Sequence, residues 1–487
     1  MTQPGPAQRG PVPPPSSDGP REPGLPSWLP SPVPPEPPRP RRDPGRRPLL
    51  IVGAVVVVLA LIGGVVSLWG DGREQVSPAA PGSTSAPASS RASQTTAPPG
   101  AMGNAGIRAV QAQVERLRGL RFQRPVPVTV ESPARVAAQL LREIDTSIDK
   151  ADLQRQGRAL ALLGELPQSI DLYQLLRDVQ AESVLGFYVP GKPPAKGRLY
   201  VRSDRGLDPY TRIVLAHELT HAVTDQRYDL TLADRLQSAN AADRAIAYSG
   251  LVEGDATITM GLYRDQALSA SEQADADRVG VAQRTPRLDA APAAVRESLL
   301  FPYAAGVAFV RALYQRGGWD AVNRAYRDPP TSSEQLLHPE RYLDQRDRPQ
   351  TVRVPDLHGA LGAGWRPGTR AEWGEFDSRL LLTGEFPVST AERAAAGWDG
   401  GQLRTFESGR RVALVLRTVW DSPAEARENC TTMSRWATAR FGAPVASGRW
   451  SMPLQQGALA CQGTHVAWLS APDGASLDRL TRGLGTP

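Results

Sequence analysis

The apolar positions divide the chain into regimes before any motif is considered. Residues 1–48 show no apolar period and are dense in Pro, with Gly, Ser and Arg, which predicts a disordered, partly extended arm. Leu49 to Trp69 is an essentially apolar run without a charge, long enough to cross a bilayer as a single helix. Residues 70–103 turn to Ser, Ala, Pro, Thr and Gly, the composition of a flexible stalk. Folded structure is expected from 104 onward, where helical and strand periods alternate.

From about 104 to 180 the period is helical, interrupted by a short strand at Pro125-Val126-Pro127-Val128-Thr129-Val130. Gly186–Val189 and Arg198–Arg202 read as a β-hairpin with a Pro/Gly/Lys loop. Next comes a helix that Asp208 caps and Pro209 opens, with Ile213, Val214, Ala216, Leu219, Ala222 and Val223 as its apolar surface. Further helices are predicted over about 241–265 and 292–328, and a short one ending near His338, capped by Ser332 or Ser333. After about 351, strand-like runs (402–407, 411–420, 458–462, 465–469) alternate with helices (423–440, 475–484). The fold class is α+β: a mainly helical unit with a short hairpin over 104–350 and a small α+β module over 351–487.

Charge adds topology. Arg39, Arg41, Arg42, Arg46 and Arg47 crowd the N-terminal side of the apolar run, whereas Asp71, Arg73 and Glu74 follow it. The positive-inside rule then puts the N-terminus in the cytoplasm and everything after 70 outside, as a single-pass signal anchor. A cleaved signal peptide fits worse, because the run is long and the preceding arm extended. The net charge of +6 resides partly in that arm, so no nucleic-acid partner is expected; the lipid bilayer is met through the one helix. Cys430 and Cys461 both fall on the outer side, where an oxidising compartment favours a disulfide between them.

The candidate chemistry lies in His217-Glu218-Leu219-Thr220-His221. On a helix the two histidines project from one face and can bind one Zn²⁺, with Glu218 beside the metal as general base. Five histidines in the whole chain make a chance occurrence rare. A third protein ligand is required. Glu253 is the leading choice, set among the small residues Gly250, Gly254 and Ala256, which would let its helix approach the first one closely. Asp255 and Asp243 are next in line. Asp225, one turn past His221, can orient that histidine but hardly complete the coordination.

The run from His217 to Asp225 resembles the active-site helix of thermolysin-type zinc peptidases, and Val252-Glu253-Gly254-Asp255-Ala256 resembles the third-ligand segment of the wider gluzincin group. The resemblance departs at Thr257, where thermolysin-type enzymes carry an acid. Gly186-Phe187-Tyr188, Asp225-Gln226-Arg227-Tyr228-Asp229-Leu230, Pro330–Glu340, Ala396–Gly401 and Val419-Trp420-Asp421 are similar to segments of bacterial, actinobacterial-type membrane proteins with this zinc motif. The resemblance implies a zincin-like catalytic core over 104–350, one Zn²⁺ per chain, and a membrane-anchored extracytoplasmic metallopeptidase. It would act on a peptide or protein substrate in the cell envelope. A non-catalytic zinc-bearing envelope scaffold and a zinc amidase acting on cell-wall material are the rival readings. His338 is a candidate donor to the oxyanion, with a structural histidine as its alternative; Tyr303 and Tyr342 share that ambiguity. His358 and His465 have no partner at ligand spacing.

Overall fold

The structure of the chain, a computed structural model, describes residues 56–59, 99–191, 197–452 and 454–485. The arm 1–48, most of the 70–103 stalk and all but four residues of the Leu49–Trp69 run therefore lie outside the described residues. In the first half the elements are β1 (Val56–Leu59), α1 (Pro99–Arg118), β2 (Val128–Glu131), α2 (Pro133–Ser147), α3 (Lys150–Leu162), α4 (Leu172–Ser183), β3 (Val184–Val189) and β4 (Arg198–Arg202). Then come α5 (Pro209–Asp225), α6 (Leu232–Ser238), α7 (Ala242–Ala267), α8 (Ala270–Ala282), α9 (Pro286–Asp289) and α10 (Ala293–Arg327). The short helices α11 (Ser333–Leu337), α12 (Glu340–Leu343) and α13 (His358–Leu361) lead into a module of β5 (Arg366–Glu372), α14 (Glu375–Thr383), α15 (Val388–Ala395), β6 (Trp398–Ser408) and β7 (Arg411–Trp420). It closes with α16 (Pro423–Phe441), β8 (Arg449–Met452), β9 (Gln455–Gln462), β10 (His465–Ala471) and α17 (Gly474–Leu484). The class is α+β, as the sequence predicts.

The first sheet has the order β1-β3-β4-β2. Its centre is the expected antiparallel hairpin, with Gly186 opposite Val201, and β2 adds parallel to β4. β1 pairs antiparallel with the other edge, Val58 opposite Gly186. Four residues of the run expected to be a membrane helix are thus extended. Their Val-rich composition favours a strand, and the outer edge of β3 offers unpaired backbone groups to any such segment.

α5 begins as the sequence dictates: Asp208 Oδ1 accepts from Thr211 N at 2.7 Å and Pro209 sits at the first helical position. Nearly every residue from Tyr210 to Thr224 is buried, because the hairpin, α1 and α7 pack around it. A helix enclosed this way needs no amphipathic stripe.

α7 crosses α10 at unusually close range. A Cβ on Gly254 would strike the Gly306 carbonyl, and one on Gly306 would strike the Gly250 carbonyl. The small residues around Glu253 therefore serve an approach to α10, not to α5 as the sequence reading has it. α10 breaks at Gly317 and Gly318, the latter at φ 57°, a left-handed conformation that glycine adopts without penalty. The break lets Trp319 to Tyr326 fold back over α1 and α7, where Trp319 Nε1 donates to Leu117 O at 2.8 Å. Among the described residues α10 is the one helix long and apolar enough to cross a membrane, but Phe301, Val307, Phe309, Val310 and Leu313 place it in the protein core.

The C-terminal sheet has the order β5-β6-β7-β10-β9-β8, antiparallel throughout. Alternation along β7 sends Leu414 and Leu416 into a cluster with Trp436, Trp450 and Trp468, and Ala413 and Val415 into another with Leu477 and Leu480 of α17. The edge strands β5 and β8 escape the sequence reading, since Arg366-Pro367-Gly368-Thr369-Arg370 has little strand character and tertiary pairing imposes it. Cys430 on α16 and Cys461 on β9 form a disulfide, Cα–Cα 6.3 Å. Phe301 against Phe376 at 4.0 Å and the Arg244–Glu372 ion pair at 2.8 Å fasten the module to the helical unit.

Gly254→Ala tests the crossing. Alanine improves helix propensity by about 1 kcal/mol, yet overpacking against a carbonyl that cannot rotate away costs about 1–3 kcal/mol or more. Net destabilisation is expected in a denaturant titration; an unchanged or higher midpoint would show that the helices separate freely.

Candidate metal centre

Two buried helices supply the set that the sequence singles out. His217, Glu218 and His221 lie on α5 and Glu253 on α7, at 1%, 0%, 1% and 6% exposure. His217 Nε2 lies 3.2 Å from Glu253 Oε2, and His221 Nε2 lies 3.6 Å from the same oxygen. The three ligand atoms fall within 4.8 Å of one another. Ligands at about 2.0–2.1 Å from a tetrahedral zinc stand roughly 3.3 Å apart, so the spacing fits this ion. His221 Nε2 is buried with no hydrogen-bond partner among the described residues, which also fits a lone pair kept for a cation. Burial holds the His217 imidazole neutral, its pKa pushed down to about 4 against the opposing pull of Glu253. Burial alone would raise the Glu253 carboxyl, but His221 and His217 outweigh it and hold it at about 2. A neutral imidazole, as at His217, and an ionised carboxylate, as at Glu253, are forms a metal binds.

The two rival third ligands are occupied elsewhere. Asp255 accepts from Arg118 Nε at 2.5 Å and from Tyr326 Oη at 2.9 Å, with the side chains of Arg118 and Asp255 fully buried. Asp243 accepts from Ser333 N at 3.1 Å, at the start of α11. Asp225 does not meet a histidine in any described contact. Its Oδ2 accepts from Tyr188 Oη at 2.8 Å and Gly191 N at 3.4 Å, and burial raises its pKa. With those partners and no described contact to His221, Asp225 does not form the support expected of it, and His217 Nδ1 also has no partner among the described residues.

His338 sits in a different polar cluster. Its Nε2 is 3.2 Å from Glu375 Oε1 and 3.1 Å from Arg379 Nη2, and no described contact joins it to the metal set. Tyr342 donates to Asp328 O at 2.7 Å and packs on Phe309, also away from the ligands. Tyr303 is the aromatic residue brought to the site: its ring stacks on His217 with centroids 6.4 Å apart. His358 pairs with Asp356 at 2.6 Å. His465 lies on β10 opposite Val419. A cavity of about 110 Å³ lies elsewhere, between α3, α7 and α10 on one side and β5 and α14 on the other.

Sequence reasoning gives no hint of Arg118, Tyr326 or Tyr188. Their partners are 137, 71 and 37 residues away, and neither periodicity nor a local motif marks such pairs. The one available signal is Asp255 itself, an acid on an otherwise apolar stretch that must find a cation.

Glu218 stands where β3 passes α5. A Cβ on Gly186 would lie 3.2 Å from Glu218 Cγ and 3.0 Å from Tyr200 O, so glycine permits this approach of strand to acid.

Residues 365–481 match a domain family described as a domain of unknown function, DUF8575, which is the C-terminal module alone. No curated protein matches the chain. One solved structure, described as that of a candidate hydrolase with a novel fold from Chloroflexus aurantiacus, matches with 19% identity and a TM-score of 0.31, covering 49% of this chain and 87% of that one. At that TM-score the likeness carries no argument about fold or activity.

The assignment of jobs to the buried acids is testable by metal analysis of the purified chain. Glu253→Gln should lose zinc, since one of three protein ligands is weakened. Asp255→Asn should keep zinc while losing about 3–5 kcal/mol of stability, because Arg118 is left buried without its counter-charge. Full zinc in Glu253→Gln together with loss in Asp255→Asn would reverse the two roles.

Proposed function

We propose that the chain is a membrane-anchored, extracytoplasmic zinc metallopeptidase. The observation that carries the reading is the convergence of His217 Nε2, His221 Nε2 and Glu253 Oε2 at tetrahedral-edge spacing, with Glu218 buried beside them. A zinc ion held by these three would lower the pKa of a water and polarise the scissile carbonyl. Glu218 would take the proton from that water on a carboxylate oxygen and deliver it to the leaving amine nitrogen. Tyr303, stacked on His217, is better placed than His338 to donate to the oxyanion. The outer edge of β3, which passes Glu218 at Gly186, can hold an extended peptide by backbone pairing. In this structure that edge carries Val56–Leu59.

Glu218→Gln keeps the size and hydrogen-bonding capacity of the side chain but removes the proton acceptor. Zinc should stay bound while hydrolysis of a peptide library falls by roughly 10²–10⁴. Undiminished hydrolysis would make the protein a zinc-bearing scaffold with a contaminating activity.

The segment Leu49–Trp69 cannot lie in a bilayer and on β3 at the same time. The arginine cluster before Leu49 and the uncharged run itself favour the bilayer. Protease added to intact cells should then release the 104–487 segment and spare a tag at Met1. Protection of that segment would refute the orientation, and release of a chain that is never membrane-bound would favour the strand.

A further inference from the structure

Arg311 is a buried cation with no counter-ion among the described residues. It is 2% exposed, and its Nε, Nη1 and Nη2 all lack a hydrogen-bond partner among the described residues. Elsewhere the fold pairs its buried arginine. Arg118 holds Asp255 and Asn323 and lies 4.4 Å over the Trp319 ring. An isolated buried guanidinium is heavily penalised by desolvation, and burial lowers the Arg311 pKa to about 10 with no neighbouring charge to offset it. Such a group persists where it serves something other than stability.

Its position says what that is. α10 is regular until Gly317, so Tyr303, Val307 and Arg311 form a row at i, i+4 and i+8 along one flank, spanning about 12 Å of rise. Tyr303 begins the row with its ring on His217. Val307, in the middle, follows Gly306, which touches Gly250 and Gly254 on either side of Glu253. The row thus starts at His217 and passes the crossing beside Glu253, and Arg311 ends it about 12 Å of rise beyond Tyr303, the span of about three to four residues of extended chain. Glu253 and Asp255 of α7, the helix that α10 crosses, are already committed, Glu253 to the histidines and Asp255 to Arg118 and Tyr326.

We propose that Arg311 is the anion-recognising end of the substrate site and takes a carboxylate of the bound peptide. The planar fork of a guanidinium matches a carboxylate in a bidentate, charge-assisted pair. The carboxylate is either the peptide C-terminus or an acidic side chain a few residues from the scissile bond. This rests on the peptidase reading, which it deepens by naming the substrate class.

The test uses the full chain in detergent, carrying Glu218→Gln so that ligands are not consumed, and three versions of one apolar hexapeptide. These are the free acid, the C-terminal amide, and the amide with Glu at successive positions. Binding of the free acid or of a Glu-bearing amide should be roughly tenfold or more tighter than that of the plain amide, and which one gains identifies the source of the carboxylate. Arg311→Met should erase the difference, keep the zinc, and leave the ligand-free melting temperature unchanged or higher. Equal binding of all three peptides, a preference that survives Arg311→Met, or a lower ligand-free melting temperature would overturn the proposal, the last by exposing a partner within the fold. Cleavage is read separately on the chain with Glu218 intact: a carboxylate preference beside no cleavage by that chain leaves Arg311 in its role and removes the peptidase reading, and cleavage without the preference does the reverse.

Discussion

α7 carries two buried carboxylates two residues apart, and the way each is neutralised fixes much else in the molecule. Glu253 and Asp255 project about 200° apart around the helix. One faces the histidines of α5 and the other faces Arg118 and Tyr326. A buried carboxylate without a partner costs several kcal/mol, so a rotation of α7 that improved one pairing would break the other. The glycines of the α7–α10 crossing set the distance as firmly as the carboxylates set the angle. Between them Glu253 has little freedom to move.

What the sequence makes legible follows from how local each signal is. α5 is written in a few adjacent residues: Asp208 as cap, Pro209 at its start, and histidines four apart on one face. The hairpin of β3 and β4, the long helix from Ala293 and the strands β6, β7, β9 and β10 have clear periods and appear where expected. Glu253 is readable for a subtler reason, as an acid in a stretch of small apolar residues. The purpose of those small residues is not readable, because the element they meet lies some fifty residues further on.

Asp225 and His338 mark where local reasoning stops. Asp225 stands one turn past His221, the right spacing for a supporting carboxylate, yet α5 ends there and the Tyr188 hydroxyl of β3 claims it. His338 closes a short helix with Glu375 and Arg379 from the module beside it. In both cases the deciding partner comes from a different element, and nothing in the adjacent sequence names it. The edge strands β5 and β8 are missed for the same reason, since their conformation is imposed by the strand alongside.

The fold-back at Gly317–Gly318 bears on the order in which the molecule can assemble. The segment beyond it supplies Tyr326 to Asp255 and Trp319 to α1, closing loops of 71 and 202 residues. Contacts of such long range form slowly. His217, His221 and Glu253 all precede this segment in the chain, so a growing polypeptide holds all three candidate ligands well before it holds what orients α7. On the zinc reading, capture of an ion would therefore be a late event, available only once the chain has passed Tyr326 and turned back on itself.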